Sequence, residues 1–252
     1  MKETQHMVET EAYIKPEPNK QNYQKLLDTI IEENAGCRPR LLLHSCCAPC
    51  SSAVLDYLSK YFQITLFYYN PNISTEAEFQ HRVSELQRLI REMHLVEKGV
   101  SILVPPYDHK EFLEIARGHE KDPERGERCH RCYRERLERT AEEMDRAKAA
   151  GEPYDYFCTT LTISPMKSAE ILNEIGSEIA SQHALRFLPS DFKKRGGYQK
   201  SIELSRQYQL YRQDFCGCEF SKAASERERR AREQSKEKVM RAAFLDKETD
   251  GN

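Results

Sequence analysis

The chain has 252 residues, of which 38% are hydrophobic and 32% are charged, and its formal net charge is −2. This length can bury one substantial core, and the balanced charge gives no global attraction to nucleic acid, so any RNA contact must be a local patch. The first residues are polar and lack the apolar segment of a signal peptide, and no run is long enough to span a membrane. We therefore expect a cytoplasmic protein without a membrane or DNA partner.

An amphipathic helix is predicted near the amino terminus. Apolar residues recur at helical spacing over residues 21–34 and form the stripe Tyr23, Leu26, Leu27, Ile30 and Ile31. We assign residues 1–38 to an N-terminal extension that packs this one helix on the main domain.

Strand and helix patterns alternate after this extension. Short apolar runs at 40–45 and 63–69 predict buried strands on either side of a helix near 51–60. Further strands are predicted at 101–104, 154–160 and 184–188. The intervening helices are marked by the apolar stripes Phe79, Val83, Leu86, Leu89, Ile90 and Met93, then Tyr133, Leu137, Ala141 and Met144, then Ile171, Leu172, Ile175 and Ile179.

This alternation predicts an α/β fold. We expect a doubly wound parallel sheet, Rossmann-like and of the HUP type, with about five strands and helices on both faces. We assign it to residues 39–222, and its active site should lie at the carboxyl ends of the strands. Residues 223–252 interleave acids and bases with few apolar residues, which is typical of a solvated helix or a disordered tail, and a solubilising tail is favoured over a binding arm.

Three groups of cysteines carry the chemistry of the chain. Seven of its nine cysteines fall into the groups Cys46, Cys47 and Cys50, then Cys129 and Cys132, then Cys216 and Cys218. A reducing compartment disfavours structural disulfides, so the groups predict a composite metal and redox site. Adjacent Cys46 and Cys47 cannot easily point the same way, so they serve one cluster from two backbone directions or serve two centres. The other two, Cys37 and Cys158, are expected to be structural.

Two readings of these thiols remain open. Two cysteine pairs can form a structural zinc site, but six or seven thiols exceed the need of one zinc ion. The first group follows a predicted strand, where nucleotide-binding folds place a glycine-rich phosphate loop, and neither Ser-Gly-Gly-x-Asp-Ser nor Gly-x-Gly-x-x-Gly occurs in the chain. ATP-dependent activation is therefore disfavoured. The amino terminus of the following helix would instead favour thiolates, which indicates redox chemistry.

Several motifs occur in a fixed order along the chain: HSCCAPC, YYNPNI, RCHRCYRERLERTA, TTLTISPMKS, GGYQKSIELS and YRQDFCGCEFS. In this order they resemble the cobalamin-independent epoxyqueuosine reductase family, QueH. The resemblance covers roughly residues 40–222, and the linked motifs are far more specific than any single cysteine pair.

The resemblance implies reduction of epoxyqueuosine to queuosine at the wobble position of tRNA anticodons, the last step of queuosine biosynthesis, with electrons from an external donor. It implies a 4Fe–4S cluster, an additional iron ion nearby and no cobalamin. Carried over by position, the cluster ligands are Cys46, Cys47, Cys129 and Cys132. Cys216 and Cys218 match a Cys-x-Cys that is either a redox-active disulfide or a ligand pair for the additional iron. The role of Cys50 stays open.

Polar residues near the predicted strand ends are candidate substrate contacts. Hydroxyls and an ammonium group can hold a ribose, a phosphate or the cyclopentene hydroxyls, and turn or helix-cap roles are the alternatives. The candidates are Asn70, Thr160, Ser164, Lys167 and Tyr198. Residues 193–195 form the best local basic loop for phosphate contact. His44 is expected to be a satisfied buried histidine.

Two functions from other classes compete with reduction. A zinc-stabilised RNA-binding module without catalysis would need the same cysteines and the same basic loop. A cluster-dependent tRNA sulfur transferase would need ATP, and the missing phosphate loop counts against it.

Overall fold

A four-stranded parallel sheet forms the centre of the protein. The computed structural model describes residues 21–249, and within that range the side chains up to residue 236. The strand order is β3-β2-β1-β4. The strands are β1 (Arg40–His44), β2 (Gln63–Phe67), β3 (Val100–Leu103) and β4 (Tyr156–Thr159).

Strand β1 lies at the centre of the sheet because its apolar run can be buried on both faces. Leu42 is in register with Thr65 of β2 on one side and with Phe157 of β4 on the other. Leu41 and Leu43 pack into one apolar core, and Leu42 packs into a second core on the opposite face. A central parallel strand covered on both faces reads as a continuous apolar run, as this one does.

Helices cover both faces of the sheet. They are α1 (Tyr23–Glu33), α2 (Ala48–Leu58), α3 (Glu76–Glu92), α4 (His109–Ala116), α5 (Glu127–Ala149), α6 (Ala169–Gln182), α7 (Gly197–Gln207) and α8 (Glu219–Thr249). Helix α2 packs against α3 and α7, whereas α5 packs against α4 and α6. Leu27 of α1 is fully buried in the core on the α2 side. The doubly wound, Rossmann-like architecture predicted from the sequence is confirmed.

The predicted fifth strand at 184–188 is the main difference from the expected sheet. This segment contributes a single parallel bridge, from Phe187 to Phe157 of β4, instead of a strand. Ala184, the first residue of this segment, has a φ of 52° and turns the chain away from helix α6. Pro189, which has no N–H to donate, follows directly after the segment. The interval between them is too short for a hydrogen-bonded ladder, so the sheet has four strands among the described residues.

The chain after the Cys-Gly-Cys motif continues as one long helix. Helix α8 begins at Glu219 and reaches Thr249, so the helical alternative for the charged tail is the one the structure adopts. It crosses the predicted boundary at residue 222, and the division of the chain into segments stays a prediction. Residues 1–20 of the predicted extension lie outside the described residues. Across 21–249, no helix combines the length and the apolar character needed to cross a membrane.

A candidate cysteine site at the carboxyl edge of the sheet

The three cysteine groups meet at the carboxyl edge of the sheet. Cys46 and Cys47 directly follow β1, and the short 3-10 helix Thr160–Ile163 directly follows β4. Strands β1 and β4 are neighbours, and the strand order reverses between them, because β2 and β3 lie on the other side of β1. Doubly wound folds bind their ligands at such a switch point. Cys129 and Cys132 arrive on the first turns of α5, and Cys216 and Cys218 on the segment before α8.

Two adjoining cavities hold the seven grouped thiols. The main cavity has a volume of about 290 Å³, and its cysteines are Cys46, Cys47, Cys50 and Cys216. A narrow inner cavity of about 20 Å³ is lined by Cys129, Cys132, Cys216 and Cys218. Cys216 lines both cavities, so the tertiary structure unites three cysteine groups that are far apart in the sequence.

Cys46, Cys47 and Cys50 form a compact group, the cysteine trio. Their sulfur atoms all lie within 4.8 Å of one another. Among the described residues, no other group of three or more potential metal ligands is this close together. The Cys46 and Cys47 sulfurs are 3.8 Å apart, which is about the separation of two thiolates on one tetrahedral metal ion. The expectation that these neighbours cannot point the same way is therefore wrong. Cys47 is fully extended, with φ of −171°, as the residue that precedes α2, and this backbone brings the two sulfurs together.

One thiol of the trio carries negative charge more readily than the other two. Hydrogen bonding from Cys47, and then from Cys50, holds the pKa of Cys46 well below its usual value. The Thr160 hydroxyl also donates to the Cys46 sulfur at 3.6 Å. The bond to Cys46 raises the pKa of Cys47 to about 12, and it raises that of Cys50 as well. Within the trio, Cys46 is therefore the thiol that ionises most readily.

The inner thiols are neutral for a different reason. Burial raises the pKa of Cys132 to about 12 and also raises the pKa values of Cys129 and Cys218. Cys132 and Cys218 pack with the aromatic ring of Phe112 in a small apolar cluster. Buried thiols of this kind become good ligands only when a metal cation displaces their protons.

Gly217 holds the Cys-Gly-Cys segment close to the loop after β2. Its φ of 136° is one that side chains rarely adopt, and an added Cβ would lie 3.1 Å from the Asn72 amide nitrogen. Its carbonyl accepts a hydrogen bond from the Ser74 N–H at 3.1 Å, and the Arg82 guanidinium donates to the Cys216 carbonyl at 3.1 Å. Cys216 and Cys218 are free thiols in this structure.

A buried arginine beside the thiols indicates an anionic ligand. Arg136 of α5 is 1% exposed and lines the inner cavity. Its Nε donates to the Cys132 carbonyl at 3.1 Å, while its Nη2 is buried and has no hydrogen-bond partner among the residues that the structure describes. A guanidinium buried without a carboxylate is costly unless an anion accompanies it. A 4Fe–4S cluster held by four thiolates is such an anion, so the charge of Arg136 and the thiols of the two adjoining cavities fit this group, although Cys46 and Cys47 line one cavity and Cys129 and Cys132 the other.

The position of Arg136 in its sequence motif indicates that it belongs to the site. Arg136 follows Cys132 by four residues, so both side chains lie on the same face of α5. It also stands next to Leu137 in the apolar stripe predicted for that helix. A cation on the buried face, one turn after a cysteine, is the pattern that marks it as part of the site.

The predicted substrate contacts divide into two sets. Ser164, Lys167 and Tyr198 line the main cavity, as expected for groups that meet a ligand. Thr160 is fully buried and contacts Cys46, and Asn70 is 2% exposed with its amide donating to the Ser45 carbonyl at 2.8 Å. Thr160 and Asn70 therefore hold the cysteine loop in place, and their role as substrate contacts stays a prediction.

The predicted basic loop is largely engaged within the fold. Lys193 donates to the Thr162 carbonyl at 2.8 Å and pairs with Asp191 at 3.0 Å. Arg195 pairs with Asp28 of α1 at 2.5 Å. These two cations link the loop to α1 and to the segment after β4, and phosphate contact by the loop stays a prediction.

His44 and Cys158 have structural roles. His44 is fully buried, and its Nε2 donates to the Tyr69 carbonyl at 3.1 Å, so its Nδ1 accepts from the Thr159 hydroxyl at 2.9 Å. Burial lowers the pKa of His44 to about 3, which keeps the ring neutral, and its predicted role is confirmed. Cys158 is fully buried in the core, whereas Cys37 is exposed.

Comparisons with known proteins agree with this geometry. A family model described as epoxyqueuosine reductase QueH matches residues 41–224. A Staphylococcus epidermidis protein named epoxyqueuosine reductase QueH is 39% identical over 206 residues, covering 79% of this chain and 84% of that protein. Proteins of the same name from Streptococcus pyogenes serotype M1 and Thermotoga maritima are 36% and 32% identical, covering 81% and 72% of this chain and 80% and 89% of their own lengths. The chain belongs to the epoxyqueuosine reductase QueH family.

Proposed function

We propose that this protein is an oxidoreductase that reduces epoxyqueuosine to queuosine at the wobble position of tRNA anticodons. The observation that carries the proposal is the convergence of seven thiols on two adjoining cavities in a chain of this family. The reaction would be the last step of queuosine biosynthesis, in the cytoplasm, with an external electron donor. Cobalamin is not expected to take part.

We propose that Cys46, Cys47, Cys129 and Cys132 hold a 4Fe–4S cluster. When bound, such a cluster would supply electrons one at a time. The buried Arg136 supports the assignment because its charge needs an anion nearby. Cys50 completes the cysteine trio and is available as a ligand for the additional iron ion that the family implies.

Removal of the epoxide oxygen consumes two electrons and two protons and yields an alkene and one water molecule. The wall of the main cavity provides polar groups for the part of the substrate that carries this oxygen. Lys167 lines this wall, and although burial lowers its pKa, ionised neighbours such as the Cys46 thiolate raise it, so that the net shift is upward. We propose that Lys167 stabilises the negative charge that develops on the departing oxygen, while Ser164 and Tyr198 orient the ring hydroxyls.

Cys216 and Cys218 are proposed as a redox pair. Cys216 lines both cavities, so it lies between the proposed cluster ligands and the space open to a substrate. The pair can supply two electrons and two protons by closing to a disulfide, which balances the requirement of the reaction. The alternative role, as ligands for the additional iron, would use the same thiols.

The decisive experiment compares two cysteine variants after anaerobic purification. Cys129→Ala should lose iron, sulfide and the broad visible absorption of the cluster, together with reduction of epoxyqueuosine in tRNA. Cys158→Ala is the matched control and should keep them all, because Cys158 is buried in the core away from both cavities. A Cys129→Ala protein with full iron content and turnover would refute the ligand assignment. Colourless wild-type protein that contains zinc alone would favour the RNA-binding module.

A second variant tests the pair. If Cys216 and Cys218 are redox-active, Cys216→Ser should keep the iron and sulfide content of the wild type and lose turnover. If the pair binds the additional iron, the same variant should lose about one iron per chain at constant sulfide, as expected for one mononuclear site. Wild-type metal content together with wild-type turnover would exclude both roles.

A further inference from the structure

We propose that one face of helix α8 binds phosphates of the tRNA strand on either side of the nucleotide that enters the main cavity. The face is the basic stripe formed by Arg229, Arg232 and Lys236. This inference rests on the proposed function, because it takes tRNA as the substrate. It names the surface that receives the RNA.

The first turns of helix α8 form part of the wall of the main cavity. It begins at Glu219, directly after Cys218, and three of its residues line the main cavity. These residues are Ser221, Ser225 and Glu228. Positions separated by three or four residues share one face of a helix, so the face towards the cavity is known for the first turns of α8.

The same face becomes basic farther along the helix. Continuing the spacing from 221, 225 and 228 leads to Arg232 and Lys236, with Arg229 beside them. At a rise of about 1.5 Å per residue, Arg232 lies about 10 Å beyond Ser225 along the helix axis, and Lys236 about 16 Å beyond it. The basic stripe therefore extends outward from the cavity mouth, along the direction that a bound strand would leave it.

The cations of the stripe can exchange their present partners for phosphate. Arg229 pairs with Asp214 at 3.9 Å and Arg232 with Glu228 at 3.6 Å, and each of these side chains is more than half exposed. Exposed pairs of this kind contribute about 0 to 1 kcal/mol, so they compete weakly with a phosphate group. Lys236 is exposed as well.

Other features of the chain also favour α8 as the RNA-binding surface. The net charge of −2 gives no general attraction to RNA, so a local surface must supply it. In the loop at 193–195, Lys193 donates to the Thr162 carbonyl, and Arg195 pairs with the largely buried Asp28 at 2.5 Å, a closer pair than that of Arg229 with Asp214 at 3.9 Å. The family model ends at residue 224, so the basic stripe lies beyond the region that this model matches.

The test compares charge reversal on opposite faces of α8. The first variant combines Arg229→Glu and Arg232→Glu, and the matched control combines Arg227→Glu and Arg230→Glu, which change the net charge equally on the far face. Binding of tRNA carrying epoxyqueuosine is measured over a series of salt concentrations. The first variant should bind at least about tenfold more weakly, and its salt slope should fall by roughly 0.7 to 0.9 for each lost phosphate contact. The control should retain most of its affinity.

Two results would overturn the proposal: equal loss of affinity in both variants, or wild-type affinity in the first. Iron content and far-ultraviolet circular dichroism are measured on each protein, and the neutral pair Arg229→Gln and Arg232→Gln should show a smaller loss of affinity in the same direction. Turnover by the wild type separates this inference from the proposed function. If the wild type reduces epoxyqueuosine in tRNA while the stripe variant binds like the control, the stripe alone is refuted. If the wild type binds this tRNA but does not reduce it, the reductase assignment fails.

Discussion

The ionisation of the cysteine trio can be tested in metal-free protein. Cys46 and Cys47 hold their sulfurs 3.8 Å apart. Two thiolates at this distance would repel by about 4 kcal/mol at an effective dielectric constant of about 20. That energy corresponds to about three pKa units, so the second thiol stays protonated once the first has ionised. A difference of this size between the two pKa values agrees with a Cys46 pKa that is well below the usual value and a Cys47 pKa of about 12.

We therefore expect Cys46 to react with iodoacetamide at lower pH than Cys47 and Cys50 do. In Cys47→Ala, the hydrogen bond that does most to lower the Cys46 pKa is lost, so the alkylation profile of Cys46 should move to higher pH. Peptide mapping by mass spectrometry across a pH series measures each site separately. Cys158→Ala should leave the profile unchanged. Alkylation of Cys46 and Cys47 over the same pH range, or an unchanged profile in Cys47→Ala, would refute the reasoning.

Two further predictions concern stability. His183 lies 2.6 Å from carboxylates of both Asp145 and Glu138, and these bonds raise its pKa. Its stabilisation is therefore present below the unfolded-state pKa and disappears as pH rises through the folded-state pKa. His183→Gln should lower the Tm at mildly acidic pH, which corresponds to a loss of less than about 1 kcal/mol in the free energy of unfolding. At alkaline pH the variant and the wild type should have the same Tm. A Tm difference that grows with pH would contradict this sign. In Gly176→Ala, the new Cβ would lie 2.5 Å from the Phe187 ring. Overpacking should cost about 1 to 3 kcal/mol by urea denaturation, and a loss below about 0.5 kcal/mol would show that the ring moves aside freely.

Much of the fold could be predicted from local patterns along the chain. The run Leu41 to Leu43 is apolar at every position, and only a strand covered on both faces buries such a run. The stripe that includes Leu27 predicted α1, and the structure buries this residue. Such patterns involve only residues that are close together in the sequence, so they can be recognised without the tertiary structure. The order of the motifs likewise indicated the family that the comparisons show.

Parts of the site depended on residues far apart in the sequence. Asn70 is predicted as a substrate contact, and the packing of two loops places its amide on the Ser45 carbonyl. The cations at 193–195 looked free, and their partners lie on α1 and after β4. A local pattern shows which groups a segment offers, but not which distant groups will satisfy them.

The sequence by itself determined the thiol groups, the alternation of strands and helices and the family. Only the tertiary structure decided that three cysteine groups share two cavities, that the Cys46 and Cys47 sulfurs lie side by side, and that Arg136 is buried without an anionic partner among the described residues. The physical reason is that charge, burial and hydrogen bonding at a site are set by every element that packs there. Each of those elements comes from a different part of the chain.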